Sequence, residues 1–429
     1  MTDPQQTQPP DQGARERIGS ALDETLFVEA GAGSGKTTAL VGRVLALVTG
    51  EGADGRSHPP VPLSGIAAIT FTEKAGAELR ERLRRSLEEA ATADPGHPRA
   101  ALCRAALDEL DGAAIGTLHS FAQRILVEHP VEAGLPPRVE VLDEVTSGVE
   151  FEHRWARFSD ELYSDPAFAR TFLLLFAAGV RDTTPHALAR TFDSNWDLVD
   201  EMVDPDAPPP RPAGPRVAGV LDRVEEISAL VGECIDPTDL LCLKLQEVGE
   251  WAATVRAAPD EEAQVEALRQ ARSATSTFRP RGGRKGSWRV SSDVVKADLR
   301  GLEELVDEVL RQIADECAHH LGSAIRRFTL TSAAERRSRG TLEFHDLLVL
   351  ARSLLRDAVH GARTRQSLHD RYQRLLLDEF QDTDPIQIEL AVRIAAAEPT
   401  SDAAAHPAWK QVPVAPGRLF VVGDPKQSI

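Results

Sequence analysis

The chain has 429 residues, enough for two to four domains at about 150 residues each, and its 42% apolar and 27% charged residues are those of an ordinary core-forming protein. With Lys plus Arg at 49 and Asp plus Glu at 67, the net charge of −18 excludes nucleic-acid binding through the net field, though not through a local basic groove. There is no apolar run long enough to span a membrane and no leader pattern in Met1–Gln6, and the four scattered cysteines exclude a disulfide framework or a Cys-rich zinc site, so the expectation is a cytoplasmic protein with no membrane partner.

In chain order, Leu26–Ala30 is a short apolar run ending in a Gly-rich turn and reads as a strand. Ile66–Thr70 repeats that pattern and leads into a helix with the stripe Ala75, Leu79, Leu83 and Leu87, charged residues filling its other faces. A third strand, Ala113–Thr117, runs into helical Phe121–Leu126. Strands alternating with helices predict a parallel sheet covered by helices. Over residues 145–340 helical periodicity takes over, as in Leu302, Leu305, Val306, Val309, Leu310 and Ile313. Two breaks interrupt it. Asp204–Arg216 holds six prolines and predicts a loop or extended spacer, and Arg272–Arg289 holds six basic residues and no acid. The strand–helix grammar resumes at Arg374–Asp378 and at Leu419–Asp424, so one α/β domain interrupted by a mainly helical insertion is the simplest organisation.

Ala30-Gly31-Ala32-Gly33-Ser34-Gly35-Lys36-Thr37 follows a strand and opens a helix, the context a P-loop requires. Glycines let successive backbone N–H groups curl around a phosphate. Lys36 neutralises the β- and γ-phosphates of ATP in this reading, the Thr37 hydroxyl ligates Mg²⁺, and Thr38 belongs to the same nucleotide-binding turn. Ala30 stands where the strict pattern has Gly, a small enough change to keep the loop. The acidic partner of such a loop is Leu375-Leu376-Leu377-Asp378-Glu379, with Asp378 on Mg²⁺ and Glu379 orienting or deprotonating the attacking water. Sharing one ion requires the strand ending at Asp378 to lie beside the one feeding the P-loop, at the carboxyl edge of a single sheet.

Asp378-Glu379-Phe380-Gln381-Asp382-Thr383-Asp384-Pro385 resembles motif II of the UvrD/Rep superfamily-one helicases, in particular their RecB/AddA branch, and Gly423–Ile429 resembles the start of motif III. Thr70–Ala75 resembles motif Ia, Gly116–Phe121 motif Ib, and Leu342–Leu348 the segment before motif II. The resemblance covers residues 12–128 and 335–429 and implies a RecA-like P-loop NTPase domain: residues 1–135 and 336–429, with 136–335 as a helical insertion domain. It implies an ATP-dependent DNA helicase or translocase of recombination and repair, with Gln12 reading adenine and Gln427 sensing the γ-phosphate. Its partners would be single-stranded DNA, a duplex junction and the subunits of a helicase–nuclease complex. Thr70, Phe71, Thr72, Thr117, His119, Ser120 and Phe121 become the single-strand site, rings stacking bases while hydroxyls and helix N-termini hold phosphates. A competing reading makes each Phe a core side chain and each Ser or Thr a helix cap. The basic stretch with Phe278 and Trp288 reads either as a duplex contact or as a disordered, solvated loop around Gly282-Gly283. Motifs IV to VI, with their arginine fingers, are absent from these 429 residues, so the expectation is the N-terminal portion of a longer motor, inactive by itself. A P-loop ATPase that never touches DNA, and a non-catalytic nucleotide-binding module, stand as alternatives.

Overall fold

The computed structural model describes residues 11–31, 33–274, 277–405, 408–424 and 426. The chain divides into two compact units, one made of residues 1–143 and 336–429 and the other of residues 144–335.

The first unit begins with α1 (Gln12–Ser20), β1 (Leu26–Glu29), α2 (Lys36–Thr49), β2 (Ile66–Thr70), α3 (Glu73–Ala93), α4 (Pro98–Glu109), β3 (Ala114–Thr117), α5 (Leu118–Glu128) and β4 (Glu140–Val141). Thr72 starts α3, its hydroxyl accepting from the Ala75 N–H, and Leu79, Leu83 and Leu87 form the buried stripe that periodicity requires.

The second unit holds α6 (Glu144–Ser164), α7 (Pro166–Ala177), α8 (Thr184–Asp193), α9 (Trp196–Met202), α10 (Gly214–Ala229), α11 (Leu240–Arg256), α12 (Glu261–Ser273) and most of α13 (Ser292–Arg339). Its core gathers Trp155, Phe172, Val220, Leu245, Val265, Leu302 and Ile313. Two expectations are corrected here. The proline-rich stretch ends earlier than expected, because Gly214, Pro215 and Arg216 already belong to α10, where a first-turn Pro lacks only an N–H that the helix would not use. The described part of the basic stretch is irregular with exposed cations, but it is anchored rather than free: Phe278 and Trp288 are buried in the core, and the Asp239 carboxylate accepts hydrogen bonds from Gly283 N and Arg284 N.

The chain returns to the first unit through β5 (Thr341–Leu342), α14 (Phe344–Arg356), α15 (Gly361–Arg371), β6 (Arg374–Leu377), α16 (Pro385–Ile394), α17 (Asp402–Ala405) and β7 (Leu419–Gly423). Strand β5 pairs in parallel with β4, Glu140 with Thr341 and Val141 with Leu342, so the outgoing and returning segments are clasped together. Just before β5, Arg336 is buried against the Asp346 carboxylate at 2.8 Å, and Arg337 donates to Ala133 O.

The main sheet is five parallel strands in the order β1-β7-β6-β2-β3. Strands β2 and β7 are buried along their whole length, as strands covered on both faces must be, while the edge strand β1 is half-buried and exposed by turns. Ile66, Ala68, Ile115, Leu376, Phe420 and Val422 face α2 and α3. The alternate residues Ala67, Ile69, Leu375, Leu377 and Val421 are buried on the opposite face. Strand β6 does not lie beside β1. Strand β7 separates them, putting β6 two strand spacings away, roughly 10 Å.

Candidate nucleotide and DNA site

Three strand ends, β1, β7 and β6, meet at the carboxyl edge of the sheet. After β1, Ala30 N donates to Gly423 O at 2.9 Å, which hangs the P-loop on the end of β7. Gly33 and Gly35 take left-handed φ values of +73° and +88°, which a side chain would strain. Gly35 caps α2, its carbonyl accepting from Ala39 N at 3.0 Å. Ser34 folds back through its hydroxyl to Gly31 O, and Arg15 of α1 donates to Ser34 O at 2.7 Å. Lys36 and Thr37 open α2, where unbonded N–H groups and the helix dipole favour an anion. Ala32 and Gln427 lie outside the described residues.

Across the sheet edge, Asp378 N still donates to Ile69 O at 2.8 Å, so the carboxylate pair begins where the β6 ladder stops. Glu379 then turns into the left-handed region at φ +55°, the only non-glycine with positive φ among the described residues. Its carboxylate meets the Lys36 ammonium at 2.5 Å, and the lysine side chain is only 11% exposed. Gln381 continues the network: its amide N–H donates to Glu379 Oε2 at 2.8 Å, and its carbonyl accepts from Asp424 N at 2.8 Å. Burial, followed by the neighbouring Glu379 charge, pushes the Asp378 carboxyl above its usual range. Burial also raises Glu379, but the hydrogen bonds from Gln381 and Lys36 outweigh it and hold that carboxyl below its ordinary value.

Gln12 lines a cavity of about 520 Å³ together with Arg15, Thr38, Gly42 and Arg99. Its amide donates to Glu16 at 3.0 Å. The wall is stiffened from behind by Arg43, whose guanidinium donates to Ile18 O and Ala21 O, tying α2 to α1. Burial, with Arg374 nearby, pushes the Arg43 pKa down to about 10, and its guanidinium lies over the Phe420 ring at 4.7 Å.

The seven candidates for single-strand binding separate. Phe71 is 56% exposed and Ser120 is also exposed, both at strand-to-helix junctions. Phe121 is corrected: it is 4% exposed and packs edge-on against Tyr372 at 5.0 Å, so its face is not offered to a base. Thr72 and Thr117 cap α3 and α5, as the competing reading has it, and the Thr117 hydroxyl also donates to Glu73 at 2.6 Å. Thr70 is buried and donates to Thr72 O. His119 is half-buried, its pKa lowered by burial and by His345, and its ring meets Phe344 edge-on at 5.7 Å. Phe344 is an exposed aromatic that sequence reasoning gave no role. Helical period continues the α14 stripe of Leu347, Leu350, Leu354 and Leu355 through position 344, so the pattern would have put this ring in the core.

The family model of the UvrD/REP helicase N-terminal domain matches residues 12–429. The chain is 26% identical to the RecBCD enzyme subunit RecB of Escherichia coli (strain K12), over 94% of this chain and 34% of that protein. It is 27% identical to an ATP-dependent helicase/nuclease subunit of Desulforudis audaxviator (strain MP104C), over 97% of this chain and 35% of that protein. The corresponding helicase/nuclease subunit of Ligilactobacillus salivarius (strain UCC118) is 23% identical over 95% and 34%. The chain thus spans about a third of the length of these curated relatives. A P-loop and an acidic pair meeting at the edge of a parallel RecA-like sheet, together with a match running from Gln12 to Ile429, place the chain in the UvrD/REP helicase family as its N-terminal domain.

Proposed function

We propose that these residues are the ATP-binding portion of a DNA helicase or translocase acting in recombination and repair. The observation that carries the reading is the 2.5 Å approach of Lys36 to Glu379, which brings a phosphate-binding lysine and a catalytic carboxylate into one site. The donor set fits ATP–Mg²⁺: an ammonium, a helix N-terminus, a hydroxyl on Thr37 and a carboxylate on Asp378. Thr37 and Asp378 would hold the ion, which would supply charge neutralisation at the phosphates. Residues 30–38 hold the triphosphate, and Lys36 exchanges its carboxylate partner for the γ-phosphate. Glu379 so released orients water and accepts its proton, with Gln427 sensing the γ-phosphate. Gln12 holds adenine through its amide.

Single-stranded DNA lies in this reading along Phe71, Thr72, His119, Ser120 and Phe344, the rings stacking bases. We take residues 144–335 to be an insertion domain and the two flanking stretches to be one RecA-like domain. A second motor domain supplies the arginine fingers, worth about 10³–10⁵ in rate, so these 429 residues bind ATP–Mg²⁺ weakly and hydrolyse it negligibly by themselves. One relative is named as a subunit of the RecBCD enzyme and another as a helicase/nuclease subunit, which supports partner subunits for this chain. Among the described residues no helix is long and apolar enough to cross a membrane.

The test is binding of a fluorescent ATP analogue and of oligo(dT) by the 429-residue chain and its Lys36→Ala variant. Mg²⁺-dependent analogue binding lost in the variant, with oligo(dT) binding retained, supports the reading. Analogue binding without oligo(dT) binding returns the chain to a P-loop protein that does not act on DNA.

A further inference from the structure

Five cations stand on the segment from Arg279 to Arg289 in the second unit: Arg279, Arg281, Arg284, Lys285 and Arg289, all exposed. No carboxylate among the described residues forms an ion pair with them. Several other arginines of the unit are paired, Arg272 with Glu303 and Asp307, Arg170 with Glu261, Arg216 with Glu316 and Arg223 with Asp298. In a chain of net charge −18, a run of unpaired cations stands out. Asp236 lies close enough for its charge to feel Arg284, and the Arg289 guanidinium donates to Gly232 O at 3.3 Å, but the carboxylates beside the segment hydrogen-bond to the backbone and to a local hydroxyl. Asp239 accepts from Leu241, Gly283 and Arg284 N–H groups, and Asp236 accepts from Thr238.

The segment is an ordered surface. The bonds to Asp239 pin it to the first turn of α11, and Gly282 and Gly283, at φ +76° and +84°, allow the approach. A Cβ at 282 would sit 2.7 Å from that of Leu240. Its far end is held by Arg289 N to Glu233 O and Ile235 N to Ser287 O, both 2.8 Å. Because Phe278 and Trp288 are spent on the core, no aromatic of the segment faces outward. What does face outward around it is aliphatic: Ile235 at 59%, Leu240 at 56% and Val294 at 56% exposure, with Leu243 and Val290 beside them. Leu240 and Leu243 are three apart on α11 and share a face.

We propose that this surface docks an acidic amphipathic segment of a partner protein, whose apolar side chains cover Ile235, Leu240, Leu243, Val290 and Val294 while its carboxylates pair with Arg281, Arg284, Lys285 and Arg289. Charge complementarity decides the class of partner, because unpaired cations select carboxylates or phosphates. The aliphatics decide between these two. Single-strand binding recruits aromatic faces for stacking, which are buried here, and duplex binding through phosphate charge leaves exposed Leu, Ile and Val without a role. An apolar centre rimmed by charge is what a protein partner buries. The proposal is independent of the nucleotide site.

The test uses a fluorescein-labelled helical peptide with Leu at every third and fourth position and Glu between, titrated with the 429-residue chain by anisotropy. A shuffled peptide of the same composition and a short DNA duplex serve as competitors. Leu240→Ser/Leu243→Ser and Arg284→Glu/Lys285→Glu should each weaken binding of the patterned peptide about tenfold, with thermal melting unchanged. The shuffled peptide and the duplex should compete poorly. Absence of binding, equal binding of the shuffled peptide, or indifference to the leucine substitutions overturns the proposal. Duplex binding that needs Arg284 and Lys285 but ignores Leu240 and Leu243 makes the surface a nucleic-acid contact and overturns it too. So does a dimer in sedimentation equilibrium that the same substitutions dissolve, since the occupant is then a second copy.

Discussion

Lys36 and Glu379, 343 positions apart in sequence, form an ion pair of 2.5 Å in which Gln381 also donates to the carboxylate. Removing either partner therefore has two effects, one on the phosphate contact and one on the carboxylate. Lys36→Ala is expected to reduce ATP affinity by at least tenfold, measured by analogue fluorescence, because the phosphate contact is lost. Glu379→Gln should retain ATP binding. In the full motor it should lose hydrolysis, since an amide cannot accept the water's proton. Normal turnover by Glu379→Gln would remove Glu379 from the mechanism.

For the 429 residues alone, steady-state ATP hydrolysis is expected to remain near background with and without oligo(dT). Addition of the proposed second motor domain should raise it by about 10³-fold or more, the scale of an arginine finger. Robust DNA-stimulated turnover by the 429 residues would contradict the need for that domain.

Phe71 and Phe121 should behave oppositely when truncated. Phe71→Ala is expected to leave the melting temperature unchanged and weaken oligo(dT) binding by ~1–3 kcal/mol, the scale of one base–aromatic stack. Phe121→Ala empties a core position beside Tyr372 and should cost about 3–5 kcal/mol of stability by urea denaturation. Phe344→Ala should follow Phe71, because its ring is exposed beside His119.

Arg336 and Asp346 are both nearly inaccessible, and Asp346 also accepts from Glu343 N at the start of α14. Asp346→Ala leaves a guanidinium with its nearest carboxylate gone and is expected to cost ~3 kcal/mol or more. Replacing Arg336 and Asp346 together by Met and Leu should cost less than the single truncation, which a double-mutant cycle in urea measures.

Asp239 supplies a pH test of the second unit. Burial raises its carboxyl, but the N–H groups of Arg284, Leu241 and Gly283 outweigh it and hold the folded pKa below 3.8. A depressed carboxylate adds stability that is complete above the unfolded value and disappears as pH falls through the folded value. Asp239→Ala should therefore lower the urea midpoint at pH 6, with a stability loss of about 2–3 kcal/mol. The difference from wild type should shrink below pH 3.8. A difference that stayed constant down to pH 2 would point to packing rather than charge.

The P-loop, the acidic pair and the strand–helix alternation were legible in the sequence because each is a local pattern. A Gly-rich turn between an apolar run and a helix needs no distant information, and neither does the four-residue stripe of Leu79, Leu83 and Leu87. The order of strands was not legible. Parallel strands carry no turn that names their neighbour, so only the folded sheet inserts β7 between β1 and β6 and hangs Ala30 on Gly423. Tertiary packing also decided which aromatics face water. Phe71, Phe121, Phe278, Trp288 and Phe344 look alike in sequence, yet three are consumed by core contacts and two are left exposed. Burial of a ring depends on what the rest of the chain brings against it, and no local period carries that information.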